Sequence, residues 1–228
     1  MKKIILAFSL LSLVLHASFA QDKKWAIGLE LAPAFTWLNP DNSKVASDGG
    51  RIKLNGGVNL FYNLTERYAL ATGIHFNNHG GKLKGDYNGD EITYNLRELE
   101  VPIGVKLSTG NWRENMRFVA NVGIGLGILF NGSATKDYGA DKYDHQSFGY
   151  SIFPFRALYN VGAGVEYDVL DVTVCGKINY KGWFNRVYFY DDGMGNPARE
   201  LDLQLSNSTY DKIRFGLSAI ELSLGVIF

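Results

Sequence analysis

The chain has 228 residues and a formal charge of zero, with 23 basic and 23 acidic side chains. That balance supplies no basic field for nucleic acid. A single cysteine, Cys175, excludes an internal disulfide, while 26 glycines, 14% aromatics and only five prolines suit a β protein.

The first twenty residues read as an export signal. Lys2 and Lys3 precede the apolar run Ile4 to Leu15, and Ser18 and Ala20 are small residues at the −3 and −1 positions of a cleavage site. Cleavage after Ala20 would leave residues 21–228 as one domain. No later apolar run approaches the roughly 18 residues of a membrane helix. What recurs instead is period two.

Between Trp25 and Trp37 the odd positions are large or apolar (Trp25, Ile27, Leu29, Leu31, Pro33, Phe35, Trp37), and the even ones include Gly28, Glu30, Ala32 and Ala34. Ile52 to Leu64 places Ile52, Leu54, Val58, Leu60 and Tyr62 on one face and Lys53, Asn55, Gly57, Asn59 and Phe61 on the other. Tyr68 to Phe76 and Leu99 to Leu107 repeat the pattern, as do Met116 to Phe130, Arg156 to Tyr167, Val172 to Phe184 and Ile220 to Phe228. The alternation slips near Arg97–Glu98 and Ser218–Ala219, where a bulge is the simplest expectation. Eight strands result. Short turns fall near Asn63–Arg67, Ser108–Asn115 and Asp168–Asp171, and long loops near Leu38–Gly50, Asn77–Asp90, Asn131–Ile152 and Asn185–Tyr210.

The apolar face could line a dry centre, as in a soluble barrel, or meet lipid. The other face decides. It is dominated by Gly, Ala and Asn with isolated charges, whereas a water-facing sheet surface is poor in glycine. Small residues suit the narrow interior of an eight-stranded barrel. The predicted fold is therefore an all-β, eight-stranded antiparallel up-and-down transmembrane barrel with short periplasmic turns and long extracellular loops.

Charges inside such a wall must pair. Parity points Glu30, Glu98, Glu100, Glu166 and Glu221 inward with Lys53, Lys106, Arg117, Arg156, Lys177 and Lys181, a near balance that predicts an internal salt-bridge network. Twelve steps from Trp25 to Trp37, tilted, span roughly 28 Å, close to an apolar band of about 25 Å. Trp25, Tyr62, Tyr68, Phe118, Tyr167 and Phe228 then form the inner aromatic girdle, with Trp37, Phe76, Phe130 and Phe184 near the outer interface.

Leu99-Glu100-Val101-Pro102-Ile103 resembles the "YLEIPL" fourth strand of the PorT-type outer-membrane β-barrel proteins of Bacteroidota. Gly162 to Tyr167 resembles their "GAGLEY" sixth strand, and Asn179-Tyr180-Lys181-Gly182 their "RY-x-x-G" element, with Asn179 where the family carries Arg. Phe228 resembles the C-terminal aromatic by which the barrel-assembly machinery recognises its clients. The resemblance implies an envelope or secretion-complex component of the outer membrane.

An enzyme at the extracellular rim would need His and carboxylate within reach of each other. Candidates are His75, His79 and His145 with Asp41, Asp48, Asp86, Asp90, Asp144, Asp191, Asp192 and Ser147. Asp86, Asn88 and Asp90 have the spacing of calcium ligands, but Glu91 stands where the loop needs Gly and Pro102 where it needs Glu. Gly123 to Gly127 lies within a strand and is no nucleotide fingerprint. Inward Cys175 reads as an inert thiol. The expectation is a non-enzymatic barrel without metal or cofactor, its lumen filled by side chains. Outer-membrane lipid would surround it and its loops would contact envelope proteins. A rim enzyme acting on lipid or peptide, and a small passive channel, are the alternatives.

Overall fold

The computed structural model describes residues 24–41, 45–85, 91–110, 115–137, 146–147, 154–187, 204–206, 209–210 and 214–228. The proposed signal, residues 1–20, lies outside them. Eight long strands follow one another: β1 (Trp25–Pro40), β2 (Val45–Asn63), β3 (Tyr68–Gly85), β4 (Glu91–Ser108), β5 (Met116–Asp137), β6 (Phe155–Val169), β7 (Val172–Trp183) and β8 (Phe215–Ile227). Each pairs antiparallel with its sequence neighbours, except that β8 returns to β1. The sheet closes into an eight-stranded barrel. Closure runs from Gly28↔Ile227 to Pro40↔Phe215, and Phe228 finishes it by donating its amide to the Ile27 carbonyl at 2.8 Å.

Alternation sets the two surfaces. Leu31, Phe35, Ile52, Ile74, Val122, Ile124, Ile178 and Leu224 point outward and are exposed. A ring of aromatics sits at each end of this apolar band, where an amphipathic ring suits the boundary with water. At the turn end Trp25 packs on Tyr62 with ring centroids 4.7 Å apart, and Tyr68 and Tyr167 are exposed nearby on their own strands. At the loop end Phe76 meets Phe130 at 5.6 Å, Trp37 meets Tyr180 at 6.3 Å, and Tyr159 meets Phe184 at 5.3 Å. Tyr159 and Tyr180 thus join the outer girdle expected from Trp37, Phe76, Phe130 and Phe184.

The strands of one flank continue past that girdle. β2 to β5 have 19, 18, 18 and 22 residues, against 12 in β7 and 13 in β8. Beyond Phe76 and Phe130 they rise roughly 15–20 Å further. Strand thus takes up much of the first two expected long loops, reaching Pro40, resuming at Val45, and running on to Gly85. The sequence around Asn77–Gly85 is polar and glycine-rich and reads as loop, yet it is strand because β4 pairs with it from His75↔Glu100 to Lys84↔Glu91.

Of the two expected bulges, the one near Arg97–Glu98 is present and the one near Ser218–Ala219 is not. In β4 the pleat never changes phase: Ile92, Tyr94, Leu96, Glu98 and Glu100 are all buried and inward. What changes is the surroundings. Below Glu98 the outside of β4 is apolar and its inside polar; above it the inside is apolar and the outside carries Thr93, Asn95 and Arg97. The extra residue here belongs to the partner strand, since Arg97 pairs with Asn131 and Glu98 with Leu129, so that Phe130 bulges from β5. In β8 there is no bulge at all. Its register with β7 runs unbroken from Ser218↔Gly182 to Ile227↔Thr173, and Phe215, Leu217 and Ala219 are buried on the same inner face as Glu221 and Ser223.

The outward band makes a direct prediction. Val122 is 54% exposed near the middle of the lipid-facing part of β5, Met116 to Phe130. Val122→Arg should destabilise the folded barrel in phospholipid vesicles by roughly 2–4 kcal/mol, read by equilibrium urea unfolding.

Candidate functional site

The interior holds the unusual chemistry, and it is layered. At the turn end a small apolar floor is made by Phe61, Ala69, Cys175 and Ile227. Arg117 on β5 donates from Nε to Glu166 at 2.7 Å and from Nη1 to Asp168 at 2.7 Å. Lys106 on β4 donates to the other Glu166 oxygen at 2.9 Å and lies 4.7 Å above the Phe61 ring. Asp168 also accepts from the Thr173 hydroxyl at 2.6 Å.

The next layer joins Glu30 to Lys177 at 2.7 Å. Asn59 donates to the same Glu30 oxygen at 3.2 Å and meets His75 Nε2 at 2.9 Å. Above it stands the pivot of the lumen. Lys181 on β7 reaches across the barrel to Glu100 on β4 at 2.9 Å and to Glu221 on β8 at 3.3 Å. Asn77 donates to Glu100 and Asn55 to Glu221. Side chains of Lys181, Glu100 and Glu221 are almost wholly buried, with 2%, 0% and 3% of their surface exposed. Ions so placed are tolerable only with this degree of mutual pairing. Between the lower layers lies a cavity of about 60 Å³ bordered by Glu30, His75, Lys106, Asn121, Lys177 and Glu221, polar enough and large enough for a few waters.

Glycines make the room. A Cβ at Gly127 would fall on the Glu98 carboxylate, one at Gly125 on that of Glu100, and one at Gly57 on the His75 ring. The small residues that share a face with the charges are therefore the space the charges occupy.

A fourth layer surrounds Trp183. Its indole N–H donates to Glu98 at 3.3 Å, His79 meets its ring edge-on at 4.5 Å, and the Arg156 guanidinium lies 5.8 Å from its ring centre. An apolar cluster then fills the extended end, including Leu38, Leu83, Tyr94, Leu96, Phe215 and Leu217, each at most 1% exposed.

Parity places most of the expected network as described above, but two cations differ. Among the described residues the buried Arg156 has no ion pair and no hydrogen-bond partner for its guanidinium, which instead lies near Trp183. Among the described residues Lys53 does not reach a carboxylate either; its Nζ donates to Asn95 at 2.6 Å, because β3 turns inward beside it. Asn55, Asn59, Asn77, His79, Ser223 and Trp183 also belong to the interior chemistry. All lie on the inward parity of their strands, so the alternation that found the charges reaches them as well.

The rim candidates do not converge among the described residues. His75 lies in the lumen and His79, rather than starting a loop, is fully buried beneath the apolar cluster. Asp41 pairs with Arg186 at 2.9 Å, and Asp48 is exposed on β2. Asp86, Asp90, Asp144, His145, Asp191 and Asp192 lie outside the described residues, as do the side chain of Ser147 and the calcium-like spacing. No group of three His, Cys, Asp or Glu side chains gathers for a metal among the described residues.

Lys181 should be the costliest interior residue to lose. Lys181→Met leaves Glu100 and Glu221 uncompensated and should cost roughly 3–5 kcal/mol in detergent unfolding, while adding Glu100→Gln and Glu221→Gln should recover most of it.

Among solved structures the chain is similar to Neisserial surface protein A (NspA), with TM-score 0.41 and 15% identity over 90% of this chain and 96% of that one. It is similar to Ail, the attachment invasion locus protein of Yersinia pestis, with TM-score 0.40 and 12% identity over 90% and 99%. It is also similar to a major outer membrane protein from Thermus thermophilus, with TM-score 0.48 and 12% identity over 90% and 98%. No curated protein sequence matches. A family model does match, over residues 19–186. With that match on a closed eight-stranded wall that is apolar outside and charged within, the chain belongs to the outer membrane protein β-barrel domain family.

Proposed function

We propose that this outer-membrane barrel is neither an enzyme nor a pore, and that its lumen is plugged by its own side chains. The supporting observation is the apolar cluster above the ion-pair layers. Leu38, Leu83, Tyr94 and Phe215 come from four different strands and pack together with almost no exposure. An ion crossing that layer would shed its water without gaining a partner. In this reading His75 and His79 are interior groups and not catalytic ones, since both point into the lumen and His79 is fully buried there.

Function then rests with the extracellular segments held by the rigid wall. They carry Tyr138, Tyr143, Tyr150, Tyr188 and Tyr190, a residue type favoured in protein contacts. The proposed role is surface interaction, or membership of an envelope or secretion complex of the PorT type, as the Leu99–Ile103 and Gly162–Tyr167 resemblances suggest. The barrel-assembly machinery is the proposed partner during biogenesis, through Phe228.

Purified protein in planar bilayers should be electrically silent. Phe215→Ala with Tyr94→Ala should introduce resolved openings, and steady conductance of the unaltered protein would support the channel instead. Joint substitution of His75, His79 and His145 by Ala should leave lipid A composition and envelope proteolysis unchanged; a loss of either would support the rim enzyme. Deleting Phe228 should lower the surface level in cells, read by labelling intact cells, while crosslinking in intact envelopes should capture discrete protein neighbours.

A further inference from the structure

At one place the barrel wall changes its means of cohesion. β2 and β3 pair from Asn63↔Ala69 to Gly56↔Phe76 and resume at Gly50↔Gly81, with register shifts on either side of Gly50. Over residues 51–55 the two strands are joined by side chains instead. The Asn78 amide donates to Asn55 Oδ1 and its Nδ2 to the Leu54 carbonyl, both at 2.7 Å. The Thr36 hydroxyl donates to the Gly80 carbonyl at 2.6 Å and accepts from the Gly80 amide at 3.0 Å. β1 and β2 stay in register through Thr36↔Arg51, so it is β3 that leans inward.

Two cations occupy the seam. Lys53 Nζ donates to Asn95 Oδ1 at 2.6 Å and Arg51 Nη2 to Thr93 Oγ1 at 3.3 Å, each crossing β3 to reach β4. Gly80 lets β3 lie close against β4 here, since a Cβ there would fall on the Tyr94 carbonyl oxygen. Arg97 follows Asn95 on the same face of β4 and is exposed. Arg51 and Arg97 both repel Lys53. None of the three makes an ion pair among the described residues, and Arg51 Nε is buried without a hydrogen-bond partner. Glu91, further along β4, is engaged by Lys82 at 3.3 Å. Neutral partners thus hold Lys53 and Arg51 beside Arg97 without neutralising the cluster.

The position says what would do so. Directly toward the membrane from the cluster lie Ile52, Leu54, Phe76 and Leu99, at 78%, 59%, 43% and 42% exposure. A ligand that fits both features is anionic at one end and apolar below. Guanidinium and ammonium groups in a cluster match the oxygens of a phosphate. We propose that Arg51, Lys53 and Arg97 bind the phosphorylated headgroup of an outer-leaflet lipid whose acyl chains lie along Ile52, Leu54 and Phe76. The site rests on the outer-membrane placement, with the loop end outside, and is independent of whether the lumen conducts.

The test uses the full chain purified from outer membranes in neutral detergent and native mass spectrometry. The probes are diphosphorylated lipid A, its dephosphorylated form with the same acyl chains, and inorganic phosphate. The protein should retain the diphosphorylated lipid about tenfold more tightly than the dephosphorylated one. Arg51→Gln, Lys53→Gln and Arg97→Gln together should abolish the preference, and Lys84→Gln, farther from the membrane, should keep it. Should the triple variant not fold by circular dichroism, the exposed single change Arg97→Glu is read for a reduced preference. Equal retention of the two lipids, or a preference that survives these substitutions, overturns the proposal. Inorganic phosphate bound without any lipid preference would assign the cluster to a free anion and overturn it equally.

Discussion

Closure of the sheet through β1 and β8 is the constraint from which the rest of the molecule follows. In hydrocarbon every backbone amide and carbonyl needs a partner within the protein, and the last strand can only find one on the first. Eight strands closed in this way leave an interior wide enough for side chains and little else. The outer surface must then be apolar, and whatever polarity the strands carry is forced into a narrow space. Charged groups there cannot rely on solvent. They survive because Lys181, Lys177, Lys106 and Arg117 each find a carboxylate, and because glycines opposite Glu98 and Glu100 leave the volume those side chains fill.

Polarity inside the membrane span and apolarity inside the extension are two answers to the same rule. Side chains turn toward whatever the surroundings do not supply. Where lipid lies outside, the interior is charged and amide-rich. Where water lies outside, the interior closes over Leu83, Ile92, Tyr94 and Leu96 as an ordinary core, and lysines and arginines move outward. Trp183 stands at the change, its ring among apolar neighbours and its N–H on Glu98.

Much of this was legible in the chain itself. Parity alone assigned Glu30, Glu100, Lys177 and Lys181 to one surface and Leu31, Val122 and Leu224 to the other, because a strand has a fixed period of two. The reading failed where the hydrophobic pattern inverted. At Ser218–Ala219 an inverted pattern reads as a shifted backbone, but the same letters arise when the solvent changes and the pleat does not; at Arg97–Glu98 the bulge is real but belongs to β5. The register between strands, which distinguishes the two cases, is a property of pairing and is not written in either strand. The same ambiguity made residues 77–85 look like loop, and it concealed that Lys53 would leave the lumen through the seam. The aromatic girdle is easier, since Trp25 and Trp37 mark their own depth, whereas Tyr159 and Tyr180 fall on the outward apolar parity of their strands with nothing in the sequence to mark theirs.

The polar coat of the extended strands has a kinetic consequence. Lys82, Lys84, Glu91 and Arg97 finish on the far side of the bilayer from where an exported chain arrives. Each must therefore traverse hydrocarbon during insertion, before the core that will sit behind it has condensed. A charge at the bilayer centre is expensive, so carrying these four side chains across adds a cost that the apolar lipid-facing band does not.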